Sequence, residues 1–239
     1  MTCLVKRARM AAFVGLAIVV GGFIPTPEAA SGPVNALVLS DFGDVSATVA
    51  RMQALGWTVT TKPTLQVMQT AGTGPNPFRG YDVVWIPARS DLATLHLLMT
   101  GGGRLETFLR FGGVVIIADL SPVELWVDAV PGGTEAMETA AGSAAPVTIA
   151  AASHVLITGS EIGGVTLGAA DLDPGLTGGR GYFMDLPADG APVVVAQNAS
   201  GPVLVEYGFG SGHVVASLLA NPSAAFEDNL VRYAHALVP

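Results

Sequence analysis

Residues Val114–Ala118, with the sequence VVIIA, form an unbroken apolar run between a glycine pair and Asp119. A strand with one solvated face alternates apolar and polar residues, whereas a strand buried on both faces is apolar at consecutive positions. Such two-sided burial is typical of parallel sheets covered by helices. The run therefore predicts the central strand of an α/β sheet, and the segment DLSP after it lies where ligand sites are common.

The first part of the chain predicts further strands of the same sheet. Val34–Ser40 is an apolar segment, Val45–Leu55 has apolar residues at helical spacing, and Trp57–Lys62 is a second strand candidate. Strands joined through a helix in this way run parallel. Tyr81–Ala88 predicts a third strand, and Arg104–Phe111 predicts the helix before the central strand.

The second half of the chain has a different pattern. Residues 131–145, PGGTEAMETAAGSAA, are small and predict a flexible segment. Turn residues then separate seven strand candidates: PVTIAA, HVLITG, GVTLG, GYFMDL, PVVVAQN, PVLVEYG and HVVASLLA. YGFGSG predicts a hairpin, and AAFEDNLVRYAHAL predicts a closing helix. We expect one domain over residues 34–239, a flavodoxin-like three-layer α/β sandwich with a mostly parallel central sheet and an antiparallel β elaboration in the carboxyl-terminal half.

Residues 1–31 have the layout of a secretory signal peptide. Basic residues precede the apolar run Met10–Ile24, and a segment with prolines and small residues follows it. We expect cleavage after Ala30 or Ser31, and a periplasmic or extracellular protein without a membrane span. An uncleaved anchor is the alternative, although the run is short for a helix that crosses a bilayer.

Cysteine content and charge exclude several functions. The one cysteine, Cys3, lies in the segment that we expect to be removed, which leaves no thiol for a disulfide, a metal site or catalysis. Without residues 1–31 the chain has 8 basic and 18 acidic residues, a net charge of −10. That charge disfavours nucleic acid and anionic lipid as partners.

Motifs for hydrolysis or metal binding are incomplete. Ser121 lacks the small neighbours of a nucleophile elbow, because Leu120 is bulky and Pro122 has no N–H for an oxyanion hole. Asp171–Gly175, DLDPG, predicts a solvated turn rather than a calcium loop. The chain has four histidines: His96, His154, His213 and His235. Their spacing matches no zinc-binding motif, so we expect no metal and no cofactor. We expect surface or hydrogen-bonded roles for His213 and His235.

Acidic residues at the ends of predicted strands are the remaining candidates for a site. Asp41 and Asp44 follow the first strand and Asp119 follows the central strand, at the sheet edge where open α/β sheets bind ligands. The alternative for Asp119 is the cap of the next helix or turn. We expect the strands before Asp41 and Asp119 to be neighbours, so that their carboxylates, with Glu124 as a further candidate, could perform acid–base chemistry or hold a divalent ion.

Five segments follow one another in a familiar order: ALVLSD, YDVVWIPA, LETFLRFGGVVIIAD, HVLITG and GPVLVEYGFGSGHVVASLLANP. The arrangement resembles the class I glutamine amidotransferase-like superfamily. It is more similar to the non-catalytic branches of that superfamily, among them the trehalose-utilisation-type and β-galactosidase middle-domain-like members. The resemblance covers most of residues 34–239 and implies the flavodoxin-like fold.

The chain departs from the enzymes of that superfamily at both catalytic positions. Those enzymes carry a cysteine at the elbow and a His-x-Glu motif after the last long strand, whereas here Asp119 falls at about the elbow and Asn221-Pro222 replaces His-Pro. Neither side chain supplies a thiolate or its base, so amidotransferase activity is excluded.

These departures predict an exported pseudoenzyme with no catalytic residue, a binding or assembly module whose partner is a protein or a glycan. The alternative is an enzyme of different chemistry, a hydrolase or a metal-dependent enzyme, that uses strand-end carboxylates such as Asp41 and Asp119. A third hypothesis is an interaction subunit that forms a homo-oligomer through an exposed sheet edge or the last helix.

Overall fold

The computed structural model describes residues 32–40, 44–67, 74–87, 103–118, 120, 126–138, 146–176, 178–179 and 181–239. The strands within these ranges are β1 (Asn35–Leu39), β2 (Thr58–Lys62), β3 (Val83–Ile86), β4 (Val114–Ile117), β5 (Trp126–Val130), β6 (Thr134–Glu138), β7 (Thr148–Ile149), β8 (Gly181–Met184), β9 (Val193–Gln197), β10 (Pro202–Phe209) and β11 (Gly212–Ser217). The helices are α1 (Ser46–Ala54), α2 (Arg104–Arg110), α3 (Val155–Thr158), α4 (Ala169–Leu172) and α5 (Ala224–Ala236). Residues 64–67 form one more helical turn.

The main sheet has eight strands in the order β2-β1-β3-β4-β11-β10-β9-β7. The pairs from β2 to β11 are parallel. The pairs among β11, β10, β9 and β7 are antiparallel. This confirms the flavodoxin-like α/β sandwich with a mostly parallel central sheet and antiparallel strands from the carboxyl-terminal half.

The strand order corrects one expectation about the site. β3 lies between β1 and β4, so the prediction that the strands before Asp41 and Asp119 are neighbours is wrong. Since adjacent strands lie about 4.8 Å apart, the ends of β1 and β4 are separated by roughly 10 Å. Apolar patterning predicts that strands run parallel, but it does not determine on which side of β1 the third strand is added.

Three segments of the second half differ from the sequence-based expectations. The segment predicted to be flexible contains β6, which forms a small antiparallel sheet in the order β5-β6-β8. HVLITG forms the short helix α3 rather than a strand, because the Nδ1 atom of His154 accepts the Leu156 N–H at 3.3 Å and caps the turn. GVTLG, residues 164–168, contains no strand.

Neighbouring residues of β10 define the two layers that cover the main sheet. Glu206 faces the layer of α5, where it contacts Tyr233, and α1, α3 and α4 also pack against α5. Tyr207 points to the opposite layer, where its hydroxyl donates to the carbonyl oxygen of Pro131 at 2.6 Å. Every residue of Val114–Ile117 is buried, as the apolar run predicts for a central strand.

No helix in the ranges described above is both long enough and apolar enough to cross a lipid bilayer.

Candidate functional site

The three predicted ligand-binding acids are only partly placed by the structure. Asp41, Asp119 and the further candidate Glu124 lie outside the described residues. Asp44 is exposed, and its Oδ1 atom accepts the Ser46 N–H at 2.8 Å at the start of α1. Hydrogen bonding from Ser46 holds the pKa of the Asp44 carboxyl below its usual value. Asp44 therefore stabilises the first turn of a helix.

The acids of the DLDPG segment hold the chain together. Asp171 accepts hydrogen bonds from the Gly168 N–H at 2.8 Å and from the Ser223 hydroxyl at 3.1 Å. Asp173 is only 2% exposed and accepts the Gly178 N–H at 2.8 Å, so the prediction of a solvated turn is wrong for this residue. In the part of the chain that is described, no group of three or more His, Cys, Asp or Glu side chains could hold a metal ion.

The YGFGSG segment forms the predicted hairpin between β10 and β11, with Phe209 paired to Gly212. In this hairpin His213 is paired with Gly208, which lies two residues after Glu206 in β10. Side chains two residues apart in a strand point to the same face, so Glu206 and His213 share one face of the sheet. Glu206 contacts Tyr233 of α5 on this face, so both polar side chains lie on the α5 side of the sheet.

Glu206 is the centre of a partly buried polar cluster, with 13% of its side chain exposed. Its Oε2 atom accepts the hydroxyl of Tyr233 at 2.6 Å and lies 2.9 Å from Nε2 of His154. Because Nδ1 of His154 already accepts the Leu156 N–H, the ring proton is on Nε2 and is donated to Glu206. Burial and the charge of Glu206 raise the pKa of the Tyr233 hydroxyl, which keeps it protonated as a donor.

His213 is the member of this cluster with a solvent-facing surface, since 40% of its side chain is exposed. Its Nδ1 atom is shielded from solvent, has no hydrogen-bond partner and lies 3.8 Å from Oε1 of Glu206. A carboxylate directed at one nitrogen of an imidazole is the arrangement that orients a histidine base. A movement of about 1 Å would bring the two atoms within hydrogen-bond distance.

Sequence reasoning missed this cluster, although one signal was available. Glu206 is the only charged residue in the predicted strand PVLVEYG. A charge inside an otherwise apolar strand needs partners, but the strand pattern does not say which residues they are. His154 gives no signal of this role, because the apolar pattern of HVLITG predicts a strand rather than a capped helical turn.

A cavity of about 590 Å³ opens at the sheet edge where β3 and β4 begin. Four aromatic and two charged residues contribute to its lining: Phe78, Tyr81, Phe108 and Phe111, with Arg79 and Asp82. Phe78 is fully buried and Phe108 nearly so, which leaves Tyr81 and Phe111 as the accessible aromatic surface. This edge is opposite the one that follows β4, where the sequence placed Asp119. No feature singled out in the sequence predicted the cavity.

Hydrogen bonds order the walls of the cavity. Asn76 accepts the Phe78 N–H and donates to the carbonyl oxygen of Arg104, both at 3.0 Å. The rings of Phe78 and Phe108 pack with centroids 6.0 Å apart. Asp82 accepts the Asn35 N–H at 2.8 Å, which connects the wall to β1. Hydrogen bonds and aromatic packing therefore hold the residues of the cavity wall in place.

Phe111 has a different position at this cavity. It is the residue that follows the last turn of α2, and it is 87% exposed. The chain reverses immediately afterwards at Gly112, whose φ of 93° is a left-handed conformation that favours glycine. The ring consequently projects from the rim.

Comparison with known proteins shows the fold. No protein-family model and no curated protein matches the chain. The cytoplasmic protein STM1381 of Salmonella typhimurium LT2 is 12% identical, with a TM-score of 0.53 over 86% of this chain and 100% of that one. The cytoplasmic protein STM3548 of Salmonella typhimurium is 12% identical, with a TM-score of 0.50. That alignment covers 84% of this chain and 97% of STM3548.

The chain also aligns with part of a cold-adapted β-galactosidase of Rahnella sp. R3, at 15% identity and a TM-score of 0.49. That alignment covers 88% of this chain and 32% of the enzyme. The two Salmonella proteins therefore share the overall fold of this chain.

Proposed function

We propose that this chain is an exported, non-catalytic module that binds a protein partner through the aromatic cavity at the amino end of β3 and β4. The observation that carries the proposal is the cavity itself, whose lining includes the half-buried Tyr81 and, at its rim, the exposed Phe111. Aromatic residues and arginine are enriched at protein interfaces, and both are present here.

The positions that carry catalysis in the resembling enzymes support the same proposal. The elbow position falls at about Asp119 and the histidine position at Asn221, so neither offers a thiolate or a base. The described acids Asp44, Asp171 and Asp173 are hydrogen-bonded to backbone N–H groups, as structural carboxylates are. A binding role needs none of these groups to react.

The experiment has two arms, catalysis and export. Purified protein is assayed on a panel of amide, ester and glycoside substrates, with Asp119→Ala and His213→Asn as matched variants. We expect no turnover above buffer for any form, and turnover by the parent chain would overturn the non-catalytic assignment. For export, residues 1–31 are fused to a reporter enzyme that is active only outside the cytoplasm, and an inactive fusion would contradict that part.

A second candidate function is acid–base catalysis at His213. The observation in its favour is the unpartnered Nδ1 atom that faces Glu206 at 3.8 Å, while the ring reaches the surface. Turnover that His213→Asn abolishes and Asp119→Ala preserves would support this function. The version that uses Asp41 and Asp119 requires the two side chains to approach each other across the end of β3.

A further inference from the structure

We propose that the partner at the cavity is a second copy of this chain, docked about a two-fold axis so that Phe111 of each protomer enters the cavity of the other. This inference rests on the proposed binding function and names its partner.

The exposure of Phe111 is the first argument. Scattered exposed apolar residues are normal on a protein surface, and Leu65, Val165 and Leu176 are further examples, at 55% to 66% exposed. Phe111 differs from them because it is larger, is 87% exposed and lies at the rim of an apolar concavity. An exposed aromatic ring beside such a cavity marks an interaction surface.

The dimensions and lining of the cavity are the second argument. Its volume of about 590 Å³ exceeds that of one phenylalanine ring, so the ring and its neighbours could enter together. An incoming ring would meet Tyr81 and the accessible edge of Phe108, and aromatic rings pack favourably edge to face at centroid distances of roughly 4.5 to 7 Å. The cavity therefore suits an aromatic side chain.

Symmetry is the third argument. On each protomer, the exposed ring of Phe111 and the cavity that could receive such a ring lie on the same patch of the surface. A two-fold axis through that patch inserts both rings at once, whereas a different protein would need a matching projection and a matching cavity.

Charge supports the same pairing. Without residues 1–31 the chain has a net charge of −10, so two copies repel each other at long range and need opposite charges at the contact. Arg79 and Asp82 both line the cavity, and Arg79 is exposed. A two-fold axis can place Arg79 of one protomer against the partner's Asp82, so that each copy supplies both signs.

The test is sedimentation of the purified protein over a range of concentrations up to about 100 μM. We expect a dimer, a dissociation constant about tenfold or more weaker for Phe111→Ser, and a weaker dimer for Arg79→Glu. Leu65→Ser is the matched control, since it removes another exposed apolar side chain and should leave the dimer intact. A far-ultraviolet circular dichroism spectrum of Phe111→Ser that matches the parent chain would show that the variant is folded, while its unfolding temperature should fall as the dimer weakens.

A parent chain that stays monomeric, or a dimer that Phe111→Ser does not weaken, would overturn this inference. A monomer that binds a different protein through Phe111 would also overturn it, while the proposed binding function would stand. Substrate turnover by the parent chain, in contrast, would overturn the proposed function whatever the oligomeric state.

Discussion

The hydroxyl of Tyr233 in α5 donates a hydrogen bond of 2.6 Å to the carboxylate of Glu206 in β10. The two residues connect the last helix to the middle of the antiparallel part of the sheet. His154 donates to the same carboxylate oxygen from the N-cap of α3, so one acidic side chain connects three elements. A buried carboxylate with such donors stabilises the fold only while the donors stay in place.

Replacing Tyr233 by phenylalanine should lower the free energy of unfolding by about 1.5–3 kcal/mol, because the variant keeps the ring and loses one hydrogen bond to a charged group. Urea unfolding followed by circular dichroism measures this change. Tyr182→Phe is the matched control, since its hydroxyl donates only to the sulfur of Met137 at 3.3 Å and its loss should change stability little. Equal losses for the two variants would contradict the role assigned to Glu206.

Stability should decrease as the pH falls below about 6.5, partly through His235. Its Nδ1 atom accepts the Trp57 Nε1–H at 2.7 Å, and burial lowers the pKa of the imidazole below its ordinary value. Because the unfolded chain binds the proton more readily, this contribution is complete above the unfolded pKa and is lost as the pH falls towards the folded pKa.

Unfolding measured between pH 8 and about 5 checks the role of His235. His235→Gln should show a shallower loss of stability over the lower half of that range. If the variant keeps the full pH dependence of the parent chain, another group is responsible.

Gly159→Ala should destabilise the protein strongly, well beyond the roughly 1 kcal/mol that a left-handed conformation costs alanine. Gly159 has a φ of 67°, and an added Cβ would lie 2.6 Å from the backbone N and O atoms of Val165. Gly56→Ala is the matched control, because Gly56 has a φ of 81° but open space around its Cβ position. Thermal unfolding of both variants separates the steric contribution from backbone strain, and similar losses would contradict the packing described at Val165.

Asn229→Ala should cost about 3 kcal/mol or more, because it leaves several buried backbone groups without partners. Asn229 is fully buried, accepts the Val165 N–H at 3.0 Å, and donates to the carbonyl oxygens of Leu156 and Val165. Chemical denaturation provides the measurement, with Gln53→Ala on the exposed side of α1 as a neutral comparison. A loss below about 1 kcal/mol would mean that water replaces the amide.

The parallel part of the fold could be predicted from the sequence because burial on two faces leaves a direct trace. Every residue of Val114–Ile117 is apolar and buried, and the helix α1 lies within one residue of its predicted bounds at either end. The order of the strands leaves no such trace in the sequence, because a strand as apolar as β3 could be added on either side of β1. The expectation that the strands before Asp41 and Asp119 are neighbours was wrong for this reason.

The polar cluster and the cavity depend on tertiary contacts between residues far apart in the chain. Glu206 is 52 residues from His154 and 27 residues from Tyr233. The cavity brings Phe78 and Phe108 together from two different segments. Sequence periodicity reports on one element at a time, so it indicated the hairpin that carries Glu206 but not the groups that contact it.

The connection between α1 and α5 has a consequence for the order of folding. Arg51 pairs with Glu227 at 2.6 Å, and Trp57 bonds to His235, contacts that span 176 and 178 residues. Such long loops close late, since their entropy cost precedes any gain from contact. The apolar side of the first β-α-β unit therefore stays uncovered until α5 is synthesised, and Trp57 fluorescence should report its arrival as the final step of folding.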